Sequence, residues 1–358
     1  MGEWWLATDC EGPLTLNDYA FELCAAYIPA GDRLFQVLSR YDDYLVAVER
    51  RPGHAAGSTL RWVAPFLKAF GLTEAEARAF AARHLLVLPG VGDVLPRLKE
   101  VLPTFIISAS YQPYVEALCR TVGFPEEQTW STPFPLDAHT LPAGEAERLK
   151  KLAATIGALA PPTWPAGAAG PADLEKGEQK TVALLAAAVA ELEAGESGAL
   201  AEAVTVVGGA VKAQALKEIA TRLGRDLATA IYFGDSITDA EALSLVRRAG
   251  GMAVAFNANR YALAEGEIAC LSPHAAAMLA LALAFAQGGP QAVRHLAAAW
   301  RGWESVAALS PEEGYRPGEE VWRAVEMFAL KAPLDPELIA RSEAFRRQVR
   351  GEAIGALG

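Results

Sequence analysis

A chain of 358 residues that is 52% apolar is long enough for two or three domains and can bury a substantial core, which excludes intrinsic disorder. A net charge of -11, with no stripe of Lys or Arg, argues against nucleic acid as the main partner, because neutralising phosphates takes a basic face. The four cysteines, Cys10, Cys24, Cys119 and Cys270, form no C-x-x-C pair and no cluster with the five scattered histidines, so reduced thiols of a cytoplasmic protein are expected rather than a zinc site.

The opening "MGEWWLATDCEG" reaches acids almost at once and lacks the basic flank and apolar stretch of a secretory signal, so no export is expected. "EWWLAT" reads as a short buried strand running into an acidic turn. "NDYAFELCAAYI", "DRLFQVLSRYDDYLVAVE", "STLRWVAPFLKAFG" and "TEAEARAFAARHLL" carry the apolar spacing of helices. "PGVGDVLPRLKEV" reads as a turn and helix, followed by the β-branched strand "PTFIISAS" and the helix "QPYVEALCRTVG". Pro, Gly and Ala concentrate between 160 and 173 and mark a loop or insertion.

Alternation then resumes with "AVTVVGG" as a strand, "KAQALKEIATRLG" as a helix, "ATAIYFGDS" as a strand, "DAEALSLVRRAGG" as a helix and "MAVAFNA" as a strand. That βαβαβ order predicts an α/β fold, a doubly wound parallel sheet with helices on both faces. From 274 onward the chain reads as almost entirely helical, broken at "SPEEGYRPGEE". The apolar run "AAAMLALALAFA" has 12 residues, short of the ~20 a spanning helix needs, so a buried helix and no membrane insertion are expected.

Ligands of parallel α/β sheets gather at the carboxyl ends of strands, and here those ends are acidic. "WWLAT" runs into Asp9-Cys10-Glu11-Gly12, and "AIYFG" into Asp235-Ser236-Ile237-Thr238-Asp239. A period of two puts Asp9 and Glu11 on one side and Cys10 on the other, which makes Cys10 a packing residue. Carboxylates converging at one sheet end repel unless a cation sits among them, and carboxylates with a substrate phosphate describe a magnesium site. Ser108 closes "FIIS", with Ser110 two residues on. Lys212 opens the helix after "VVGGAV", where an ammonium would offset phosphoryl charge, in competition with Lys217 and Lys176. Asp239 could instead cap the next helix, and Asn257 could face the pocket or form a turn. Gly208-Gly209 lacks the G-x-x-x-x-G-K-[ST] pattern of a nucleotide P-loop.

"DCEGPL", "FIIS", "VKAQALKE" and "GDSITD" resemble, in order and in strand-end placement, the four motifs of the haloacid dehalogenase-like phosphohydrolases. The resemblance implies a Rossmannoid core over 1–18, 85–125 and 203–275, a helical cap over 19–84, an insertion at the second cap position over 126–202, and a helical C-terminal extension over 276–358. It implies that Asp9 is the nucleophile and that Ser108 and Lys212 hold the phosphoryl group. Glu11 stands where the family's second Asp acts as general acid and base, its backbone carbonyl joining Asp9, Asp235 and Asp239 around Mg2+. Glu for Asp at 11 and Pro13 for the usual Thr depart from the pattern. More closely, "DCEGPLTLNDYAFELC", "GDRLFQVLSRYDDYL" and "GDSITD" are similar to chains known as subunit R of archaeal energy-converting hydrogenase A.

The expected function is therefore a magnesium-dependent phosphatase acting on a small phosphorylated metabolite through an aspartyl-phosphate. The alternatives are a regulatory subunit of the same fold that binds a protein partner or a second copy of itself, and a phosphotransferase or mutase.

Overall fold

The computed structural model describes residues 3–165, 167–302, 304–305 and 317–357. Its centre is a seven-stranded sheet. In chain order the strands are β1 (Trp5–Thr8), β2 (Thr104–Tyr111), β3 (Thr129–Thr132), β4 (Ala230–Gly234), β5 (Met252–Phe256), β6 (Ile268–Leu271) and β7 (Glu326–Ala329). Their spatial order is β3-β2-β1-β4-β5-β6-β7, and every pairing is parallel except the antiparallel β6–β7 edge.

The central strands are apolar throughout because both sheet faces are covered. Leu6, Ile106, Ile231 and Phe233 enter one core with Leu95, Leu98, Leu118 and Met278. Their neighbours Trp5, Ala7, Ile107 and Tyr232 enter a second core with Leu216, Ile219, Leu243 and Val246. The first layer contains α5 (Val91–Val101), α6 (Gln112–Val122) and α13 (Ala276–Ala298). The second contains α10 (Ala210–Leu223), α11 (Ala240–Ala249) and α12 (Arg260–Glu265). The expected α/β sheet with helices on both faces is thus present. α13 is long and apolar enough to cross a membrane, but 61% of its apolar window is buried, and it packs on α5 and the sheet.

Before β2 the chain folds α1 (Tyr19–Tyr27), α2 (Gly31–Ala47), α3 (Thr59–Ala69) and α4 (Glu74–His84). After β3 it folds α7 (Ala143–Gly157), α8 (Lys176–Ala194) and α9 (Ser197–Ala203). α7 packs on α2 and α3, and α9 packs on α3, so the two excursions form one helical body.

Three expectations need correction. "AVTVVGG" forms no strand, since Ala203 ends α9 and Val204–Gly208 is a loop whose Val207 N–H is taken by Thr132 Oγ1 at 3.0 Å. The strand beside β2 is β3 instead, which lies inside the expected 126–202 insertion. The C-terminal 276–358 is not wholly helical: between α14 (Glu319–Arg323) and α15 (Pro336–Arg350), β7 closes the sheet edge against β6. A short α16 (Glu352–Gly355) follows, and most of the break "SPEEGYRPGEE" lies outside the described residues.

Candidate active site

The carboxyl ends of β1 and β4, hydrogen-bonded neighbours at the middle of the sheet, bring their acids together. Oxygen atoms of Asp9, Asp235 and Asp239 lie within 4.8 Å of one another, and all three residues are buried. Gly12 makes the approach of the two turns possible. It sits at φ +100°, and a Cβ there would overlap the Asp235 carboxylate. In the second turn, Asp239 reaches back to accept from the backbone N–H groups of Asp235 at 3.0 Å and Ser236 at 3.2 Å, closing a capping box with Ser236. Gly234 leaves room for it, since a Cβ there would lie 2.5 Å from Asp239 Cβ.

Lys212, in the first turn of α10, is fully buried and bridges Asp9 Oδ2 and Asp239 Oδ1, both at 2.7 Å. Its rivals Lys217 and Lys176 are exposed. Burial alone would push the ammonium toward its neutral form, but Asp239 and Asp9 outweigh it and raise its pKa. Burial likewise works against the Asp239 carboxylate, yet Lys212 and the Tyr232 hydroxyl at 2.6 Å hold it below the usual range. Asp9 goes the other way: burial, reinforced by Asp239 and only partly opposed by Lys212, raises it well above the usual range. One Asp9 oxygen also accepts from the Cys10 N–H at 2.7 Å.

Glu11 is half-buried and accepts from the Tyr19 N–H, at the start of α1, at 2.9 Å. Burial and neighbouring Asp18 raise its carboxyl well above normal. Ser108 does not close its strand as expected: it is buried inside β2, which runs on to Tyr111, and its Oγ accepts from the Ser110 N–H at 3.1 Å. Ala109, between them, lines the cavity at this end of the sheet, while the Ser110 hydroxyl is buried without a partner. Asn257 belongs to a turn: at φ +49° its amide donates to Ser272 O and accepts from Ser272 N, both at 2.8 Å. All four cysteines are buried free thiols, Cys10 among them in the core.

Between the acids and the helical body lies a cavity of about 80 Å³, room for two or three waters at ~30 Å³ each. The helical body contributes Asp42 and Asp43, which the motifs do not mark. Asp42 is braced by the Gly57 N–H and Thr59 N–H, both at 3.0 Å, and by His54 Nε2 at 2.6 Å. Among the described residues Asp43 has only Arg40, at 3.5 Å, and burial raises its carboxyl to about 7.

The C-terminal helix supplies the residues that the sequence motifs do not reach. Arg346 and Arg350 of α15, 2% and 8% exposed, both donate to Asp235 Oδ2, Arg350 at 3.1 Å. A usable signal is their spacing of four on one helix face, which sets like charges against each other unless an acid receives both.

No family model matches the chain, and no curated protein does. Among solved structures it is similar to "Structure of gene product AF1437 from Archaeoglobus fulgidus", with 27% identity and a TM-score of 0.80 over 99% of both chains. The likeness therefore spans sheet, helical body and C-terminal region alike.

Proposed function

We propose that this protein is a haloacid dehalogenase-like phosphatase that removes phosphate from a small phosphorylated metabolite. The observation that carries the reading is the buried Lys212 bridging Asp9 and Asp239 beside Asp235. An ammonium held at that point offsets charge on a phosphoryl group and keeps a carboxylate aimed at the reacting phosphorus.

The donor set suits a hard cation, since it is made of carboxylate oxygens. Asp239 is an exception in detail, because Lys212, Tyr232 and two backbone N–H groups already fill its acceptor positions. Asp9 and Asp235 would hold Mg2+, and Asp239 serves to place Lys212. When bound, the ion supplies positive charge to the phosphoryl oxygens.

In the reaction an Asp9 oxygen bonds to phosphorus as the ester P–O bond breaks, and the leaving alkoxide takes the Glu11 proton. Glu11, now a carboxylate, takes a proton from water. That water attacks phosphorus, the bond to Asp9 breaks, and inorganic phosphate and the starting carboxylate are restored. The longer Glu side chain anchors on the Tyr19 N–H of the helical body, which ties the acid to the movement of the cap. The cavity has room for a phosphoryl group beside the acids, and the helical body that lines it would meet the rest of a substrate.

The test is turnover of para-nitrophenyl phosphate and a panel of phosphate esters with and without Mg2+. Asp9→Asn should lower kcat by about 10⁴-fold or more, and Glu11→Gln by about 10²- to 10⁴-fold. Equal inactivity of the wild type and Asp9→Asn across the panel would overturn the reading.

A further inference from the structure

Leu357 separates the small cavity at the acids from a larger one of about 600 Å³, within the ~300–1,000 Å³ usual for small-ligand pockets. Of the residues that line the larger cavity, four are arginines and one, Glu343, is an acid. Arg40 comes from α2, Arg50 from the loop after it, Arg260 from the start of α12 and Arg347 from α15. The helical body, a sheet-covering layer and the C-terminal region thus each send guanidinium groups into one cavity, in a chain whose net charge is -11.

Two of the four are held in place. Arg40 stacks on Trp164, 3.6 Å from the ring centroid, and meets Asp43 at 3.5 Å. Arg260 forks onto Glu343 through Nε at 2.7 Å and Nη2 at 3.1 Å. The other two have donors to spare. Among the described residues the only acid that Arg347 approaches is Glu352, at 3.7 Å, beyond hydrogen-bond distance, and that carboxylate is 88% exposed. Arg50 meets no acid among the described residues, and it sits at φ +49°, a left-handed conformation uncommon outside glycine. Asp173, behind the loop that carries Ala169, is taken by the Ala169 N–H at 2.8 Å.

Two planar forks with unfilled donors, beside an aromatic wall of Trp164 and Tyr261, match a ligand that presents anionic oxygens at more than one place. A lone phosphate would leave most of the volume empty, since the cavity has the room of about 20 waters at ~30 Å³ each.

We propose that this cavity binds a small organic anion with two or more phosphate or carboxylate groups, which Arg50 and Arg347 contact directly while Arg40 and Arg260 frame the walls. Asp9, Asp235 and Asp239 do not line it, so binding there requires no turnover at the acids.

Calorimetric titration of the full chain without added Mg2+ tests this, with citrate as the carboxylate probe and ADP as the phosphate probe. At least one should bind with a dissociation constant below about 1 mM, and the probe that binds identifies the anionic group. Arg50→Gln and Arg347→Gln should each weaken that binding by about tenfold or more, the worth of a charge-assisted hydrogen bond. Arg341→Gln, on the same helix as Arg347 but outside the cavity, should leave it unchanged. Binding of neither probe by the wild type would overturn the proposal whether or not a variant folds. So would an affinity that a folded Arg50→Gln or Arg347→Gln leaves intact, or one that Arg341→Gln weakens equally, because the anion would then sit elsewhere.

Discussion

Lys212 and the Arg346–Arg350 pair neutralise one carboxylate cluster with opposite stoichiometry. Lys212 serves two acids, Asp9 and Asp239, whereas the two arginines serve the single Asp235. The lysine group thus carries a formal excess of one negative charge and the arginine group an excess of one positive charge. A flexible ammonium with three donors can be shared between carboxylates, while a planar fork ties one acid to the surrounding backbone. The motif-borne half fixes Asp9 and Asp239, and the C-terminal half fixes Asp235.

Breaking the lysine side should have the largest effect. Lys212→Met leaves two buried carboxylates without their shared cation and should cost about 3–5 kcal/mol in urea unfolding, together with any phosphatase activity. A wild-type midpoint would show that the two acids shed their charge rather than repel.

A smaller effect sharpens the contrast between Asp43 and its braced neighbour Asp42. Burial, opposed by Arg40, raises Asp43 to about 7. A carboxyl raised on folding holds its proton more tightly in the native state, so the stability it contributes is full below about pH 4 and is lost as pH rises through about 7. Each tenfold gain in proton affinity is worth ~1.4 kcal/mol, so relative to Asp43→Asn the wild type should lose up to ~4 kcal/mol over that window. Parallel pH dependence of the two proteins would remove Asp43 as the source.

The smallest effect belongs to Arg341, on the same helix as the buried pair. It meets Glu326 at 2.6 Å but is 56% exposed, so Arg341→Ala should change stability by less than ~0.5 kcal/mol. Geometry alone would rank it beside Arg350; burial separates them.

What the sequence made legible was the short-range part. Asp9, Asp235, Asp239 and Lys212 follow strand ends or open a helix, and each position could be read from apolar runs broken by an acid or a glycine. Burial also singled out Lys212 from Lys217 and Lys176, a choice that helix spacing alone left open. The strands β3 and β7 were missed for a physical reason. "TWST" and "EMFA" are four-residue edge strands with little or no full burial, so neither shows the apolar run that marked the central strands. "AVTVVGG" failed in the opposite direction, since its β-branched residues fit a strand but are used in a loop beside Thr132. The arginine clamp was legible only as two arginines four apart on one helix, since no local pattern links residue 346 to residue 235 and only the tertiary fold brings them together.

The order in which the chain is made gives the C-terminal helix one more consequence. Asp9, Asp235 and Asp239 all leave the ribosome before Arg346 and Arg350, so the strands can pair while two of the three balancing cations do not yet exist. A nascent chain at that stage has Asp235 at the carboxyl end of β4 without the two guanidinium groups that later receive it. Synthesis of residues 336–350 supplies them, which makes the last long helix the step that turns a folded sheet into a finished site.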